Sequence, residues 1–213
     1  TGGTSAGVLE ALKRYQDSIH YEYTDISQGF IQYGRKNFGQ KYEFTHFQIL
    51  DIERDALEQG YERDSFHMVI ATNVLHATRN IKNTLNNIKP LLKSGGWLIV
   101  NEITALSSIA TLTFGLLEGW WLYEDPENRI KGSPLLNVNT WKAVLVEEGF
   151  IMKESFGINY NDGEDAGQNV IVAQSNGMVI EKAGKSSVVH DGLKVEQSRA
   201  AAIYNQQVEN EGN

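Results

Sequence analysis

Apolar residues at Val8, Leu9, Leu12 and Tyr15 follow spacings of 1, 3 and 3, which is one face of a helix. A glycine-rich turn, Thr1-Gly2-Gly3-Thr4-Ser5, precedes them. Such a turn normally follows a strand, so the chain reads as opening at a structural joint with that strand outside it. Beyond this point the pattern switches between short apolar runs and helical spacing. Residues 19–24 and 44–50 predict strands, with a helix between them over 28–38 that carries Phe30, Ile31 and Phe38. Residues 65–71 end in a continuous apolar run, the mark of a strand covered on both faces. Residues 80–92 place Ile81, Leu85, Ile88, Leu91 and Leu92 on one helical face, and Ser94-Gly95-Gly96 reads as the stop. Residues 97–100 predict a buried strand, 107–117 and 138–148 predict helices, and 151–156 and 169–173 predict two more strands. Strands alternating with helices imply an α/β fold built on a mostly parallel sheet. From Ser175 onward large apolar residues thin out, and residues 175–213 read as a linker or tail with a weak helix over 196–208.

Composition narrows the function. The chain has 213 residues, 41% of them hydrophobic, with a net charge of −8 and no cysteine. Its length suits one large domain or one domain with an appendage. Without cysteine there is no disulfide framework, no thiolate metal site and no cysteine nucleophile. The acidic balance argues against nucleic acid as a partner. Neither a membrane span nor a signal peptide is visible, so the reading is a cytoplasmic domain away from membranes. His20, His46, His67 and His190 lie scattered without ligand spacing, and no metal is assigned.

The candidate chemistry gathers at strand ends, where open α/β sheets bind ligands. Gly2 and Gly3 open a helix whose free N–H groups suit a nucleotide-like ligand; the alternative is an ordinary turn. Asp25 ends a strand 22 residues after Gly3, where an acid takes ribose hydroxyls; the alternative is a helix cap. Asp51 and Ile52 follow the next strand and fit an adenine edge and face; alternatively Asp51 caps a short helix. Asn73, Val74 and His76 follow the 65–71 strand, and Glu102 ends the strand after it. Histidine is the residue type that exchanges protons near neutrality, and a neighbouring carboxylate fixes its tautomer. Against this stand a core histidine and a Glu102 ion pair with Arg79 or a lysine. Phe114, Trp120 and Trp121 lie in an aromatic stretch that is either a core anchor or the wall of an acyl pocket.

In order, the runs TGGTS, YEYTDIS, LDIERD, ATNVLHATRNI, LLKSGGWLIVNEIT and FGLLEGWW, then Trp141 through Phe150, resemble the S-adenosylmethionine-dependent carbon-methyltransferase domains of polyketide synthases. NVLHAT and GWW are the distinctive pieces. The likeness spans residues 1–174. It implies a class I, Rossmann-like three-layer sandwich with seven strands, the last antiparallel, whose first strand and lid fall outside this chain. It implies cofactor contacts from Gly2, Gly3, Asp25, Asp51, Ile52 and Asn73 with its neighbour Val74, and a catalytic pair of His76 and Glu102. The cofactor would be S-adenosylmethionine, leaving as S-adenosylhomocysteine. The substrate would be a β-ketoacyl thioester on an acyl carrier protein, among neighbouring synthase domains. An oxygen methyltransferase of the same kind of assembly line, and an inactive domain kept for its shape, are the competing expectations.

Overall fold

A computed structural model describes residues 2–159 and 165–178. They fall into two compact units that divide between Tyr61 and Glu62.

The first unit runs α1 (Gly3–Leu12), β1 (Tyr21–Asp25), α2 (Gln28–Phe38) and β2 (Thr45–Ile49). β1 and β2 pair in parallel, with Asp25 opposite Ile49. Leu9, Tyr23, Ile31, Phe38, Tyr42 and Phe44 form its core. Phe30, one of the apolar residues of the expected helix, is 42% exposed. Gly34 sets how closely α2 approaches β1, since a Cβ there would stand 2.7 Å from the Tyr23 ring.

The second unit carries β3 (Phe66–Thr72), α3 (Ile81–Ile88), β4 (Leu92–Ile103), α4 (Ser108–Phe114), α5 (Val138–Glu147), β5 (Phe150–Asn159) and β6 (Asp165–Ser175). Its sheet has the order β3-β4-β6-β5. β3 and β4 are parallel, and β6, the last strand, is antiparallel to both of its neighbours. This is the mixed pattern expected from the sequence. The described strands pair as a sheet of two in the first unit and a sheet of four in the second.

Three local expectations change. The helix predicted over 80–92 stops at Ile88, and Lys89–Leu91 is a 3-10 turn. Pro90 has no N–H to donate to the preceding turn, so the helix cannot continue through it. Ser94, Gly95 and Gly96 therefore sit inside β4, where the pairing slips between Phe66 and Met68 and Gly95 takes a φ of 75°. Among the described strands β3 stands at the end of its sheet, where Met68 is 47% exposed and only Ala71 is buried. The helix predicted over 107–117 ends at Phe114, and its outer face leaves Ile109, Leu112 and, just beyond, Leu116 in water. The expected tail helix at 196–208 lies outside the described residues.

Candidate active site

The second unit's site starts with one backbone reversal. After β3, Asn73 adopts a left-handed φ of 47°, a conformation that asparagine accepts more readily than most residues. Its N–H donates to the Asn101 carbonyl at 2.9 Å, and its Oδ1 accepts the Ile103 N–H at 3.1 Å. These bonds lock the loop after β3 to the end of β4, where Thr72 faces Asn101 in register. The next residues coil into a 3-10 turn, Leu75–Ala77.

Glu102 closes that turn from β4. Its Oε1 accepts the N–H groups of Val74 at 2.9 Å and Leu75 at 2.8 Å, and its Oε2 meets His76 Nδ1 at 2.5 Å. Glu102 is fully buried and His76 is 6% exposed. A buried carboxylate keeps its charge only when its oxygens are satisfied, and here three donors converge on it. With Oε2 as acceptor, Nδ1 carries a ring hydrogen, and in the neutral imidazole Nε2 is then the lone-pair nitrogen. The expected ion pair of Glu102 with Arg79 or a lysine gives way, while His76 is a buried histidine with a satisfied partner. Glu102 pairs with the imidazole, while Arg79 pairs with Glu124 at 3.4 Å.

The aromatic stretch divides. Trp120 is buried, stands edge-on to His76 with ring centroids 5.7 Å apart, and stacks on Phe114 at 5.9 Å. It also belongs to a core cluster with Ala110 and Leu135. Phe114 is half exposed, as is Trp121, whose indole N–H donates to the Gly115 carbonyl at 2.9 Å.

In the first unit, Gly2 begins α1 with a φ of 74°, and a Cβ there would stand 2.9 Å from the Phe38 ring. Gly3 has open space around its Cα. Asp25 is the last residue of β1, and Asp51 lies just past the same end of its parallel partner β2. Asp25 Oδ1 accepts the Ser27 N–H at 2.8 Å, and Asp51 Oδ1 accepts the Glu53 N–H at 2.9 Å. Each acid therefore shapes its own loop and caps no helix: α2 follows Ser27 without a side-chain cap bond, and no helix starts at Asp51. Ile52, beside Asp51, is half-buried. Burial and the Asp25 charge push the Tyr23 hydroxyl up from its ordinary range. Among the described residues, no group of three or more His, Cys, Asp or Glu could hold a metal ion, and no helix is long and apolar enough to cross a membrane.

Comparison with known proteins adds the family. A methyltransferase domain profile matches residues 1–98. Polyketide synthase PksM of Bacillus subtilis (strain 168) is 44% identical over 180 residues, 84% of this chain and 4% of that synthase. The crystal structure of the DszA carbon methyltransferase is 45% identical with a TM-score of 0.76, covering 84% of this chain and 46% of that one. The structure of the trans-methyltransferase CalH with S-adenosylhomocysteine is 30% identical with a TM-score of 0.71, covering 82% of this chain and 48% of that one. The chain belongs to the S-adenosylmethionine-dependent methyltransferases. Its fold is their class I, Rossmann-like fold. It spans under half of these solved domains and a small fraction of the synthase.

The methyltransferase also holds residues that the sequence did not point to. Gln59 brackets the Asp51 backbone, accepting its N–H at 2.9 Å and donating to its carbonyl at 2.8 Å. Gln168 on β6 donates to Asn101 Oδ1 at 2.7 Å. Asp125 and Arg129 form a buried ion pair at 2.6 Å beneath the His76 turn. None lies in a motif or a periodic pattern; Arg129 and Asp125 carry only the weak signal of charges four apart in a loop rich in polar residues.

Proposed function

We propose that this domain methylates the carbon between the two carbonyls of a β-ketoacyl thioester carried by an acyl carrier protein, with His76 as the general base. The observation that carries this reading is the buried His76–Glu102 pair at 2.5 Å, at the carboxyl ends of parallel strands β3 and β4. The flanking carbonyls make that carbon acidic enough for a positioned imidazole. His76 Nε2 takes its proton, and Glu102 holds the ring by Nδ1 and balances the charge that the ring gains. Trp120, edge-on to the ring, keeps water from one side of it.

The first unit's residues suit the cofactor. The left-handed Gly2 has no room for a side chain, and the first-turn N–H groups of α1 follow it. Asp25, with Oδ1 held by Ser27, offers Oδ2 to a ribose diol; Asp51 and Ile52 offer an acceptor and an apolar face to adenine. Asn73 and Val74 would line the methionine end. When bound, S-adenosylmethionine supplies the electrophilic methyl group that the deprotonated carbon accepts. The crystallised DszA domain is a carbon methyltransferase, which supports carbon over oxygen as the acceptor. PksM is a polyketide synthase, which supports a carrier-bound substrate and neighbouring synthase domains.

The test uses the full-length protein, S-adenosylmethionine and a synthetic β-ketoacyl carrier protein. Mass spectrometry should locate the new methyl group on carbon. His76→Ala should lower turnover by about two to four orders of magnitude, the worth of a general base, with cofactor affinity unchanged. Normal turnover in that variant removes His76 from the role, and a methyl on oxygen replaces the reaction.

A further inference from the structure

The His76 turn is gripped from two sides, and only one of them is Glu102. On the other side lies Arg129, in the loop after the aromatic stretch. Its Nη1 donates to the His76 carbonyl at 2.9 Å and to the Pro134 carbonyl at 2.8 Å, and its Nη2 donates to the Thr78 carbonyl at 3.0 Å. Its Nε donates to Asp125 Oδ1 at 2.6 Å. Asp125 Oδ2 in turn accepts the Ile81 N–H at 2.9 Å, the first N–H of α3. Both side chains are 1% exposed. Four of the five guanidinium hydrogens are spent, three of them on backbone carbonyls, of which one lies in the turn that carries the base and one on Thr78, which ends it.

A buried ion pair is a poor way to gain stability, because desolvation offsets most of the attraction. The directionality of the planar fork is what this pair supplies. Glu102 fixes the N–H side of residues 74 and 75 and the imidazole Nδ1; Arg129 fixes the carbonyl side of residues 76 and 78. Between them the two side chains hold the backbone on both sides of His76.

We propose that Arg129, aligned by Asp125, is a positioning residue for His76: it sets the direction in which Nε2 points and thereby the rate of proton removal. This rests on His76 being the base, as proposed above. A lysine would keep the charge but, as a point donor on a flexible stem, could not hold the two turn carbonyls and Asp125 in one plane.

The experiment measures methyl transfer by the full-length protein to a synthetic β-ketoacyl carrier protein. Variants Arg129→Lys, Arg129→Ala and Asp125→Asn are made in the wild-type and His76→Ala backgrounds. A misplacement on the order of 1 Å costs about 100-fold, so Arg129→Lys should lower kcat by about 10- to 100-fold with both KM values unchanged. Asp125→Asn, which keeps the arginine, should give a smaller loss of the same kind, and added guanidinium should restore turnover to Arg129→Ala. In the His76→Ala background the same changes should lower the residual rate no further, because residues acting as a unit are non-additive. Wild-type kcat in Arg129→Lys, a loss carried by KM, or an equal proportional loss without His76 overturns the inference. If Arg129→Lys does not fold, Asp125→Asn decides by the same criteria. Full turnover in His76→Ala alone marks the separate failure of the base assignment.

Discussion

Glu102 is the residue on which the proposed chemistry and the local fold converge. It satisfies two backbone N–H groups and the imidazole at once. Glu102→Gln keeps the shape but replaces one acceptor oxygen with an NH2 group, which must then face a donor. An unsatisfied buried donor costs about 1–3 kcal/mol, so chemical denaturation should show a stability loss of that size. Turnover should fall further than stability alone explains, because the ring loses its anchor. A variant with full activity and unchanged stability contradicts both roles. His76 and Glu102 were legible in the sequence because one follows a strand and the other lies at the end of the next, and consecutive parallel strands bring their ends together. Arg129 was not, since it reaches the turn from a loop 53 positions along the chain through backbone carbonyls, and a carbonyl leaves no trace in a sequence.

At the scale of elements, hydrophobic spacing located the helices and strands, while boundaries were decided by single residues. Pro90 ended α3, and the glycines after it, which read as a stop, became part of β4. The same junction produced a buried cation. Lys89 is 1% exposed, and its Nζ donates at 2.6 Å to the carbonyl of Glu148, just past the end of α5. A cation suits a helix C-terminus, yet burial pushes this ammonium down from 10.5 to about 8, against the pull of the Glu148 charge. Desolvation also raises the Glu148 carboxyl. With the folded value below the unfolded one, the unfolded chain binds more protons between pH 8 and 10.5, so Lys89 makes stability rise with pH across that window. The gain is at most about 3 kcal/mol. Denaturation curves of the wild type and Lys89→Met should diverge in this way as pH rises; parallel pH dependences would show that the ammonium pays no burial cost.

For the whole molecule, composition set the broad class: an acidic chain without cysteine, suited to histidine–carboxylate chemistry. Composition could not show that the described strands would form sheets of two and four, because strand pairing depends on which strands are present and periodicity records only their faces. Nor could it tell a covered helix from a bare one. α4 reads as an ordinary apolar helix, yet Ile109 is 76% exposed, Leu112 73% and Leu116 85%. Each square ångström of such surface costs about 25 cal/mol in water, so chains held at high concentration should cluster through this row. The driving force is almost wholly entropic near room temperature and fades on cooling. Light scattering should therefore report smaller particles at about 5 °C than at about 25 °C, and Leu112→Glu should abolish the difference. The cold room, usually chosen to keep proteins quiet, here acts on the solvent: chilled water has less to gain by driving these three side chains together.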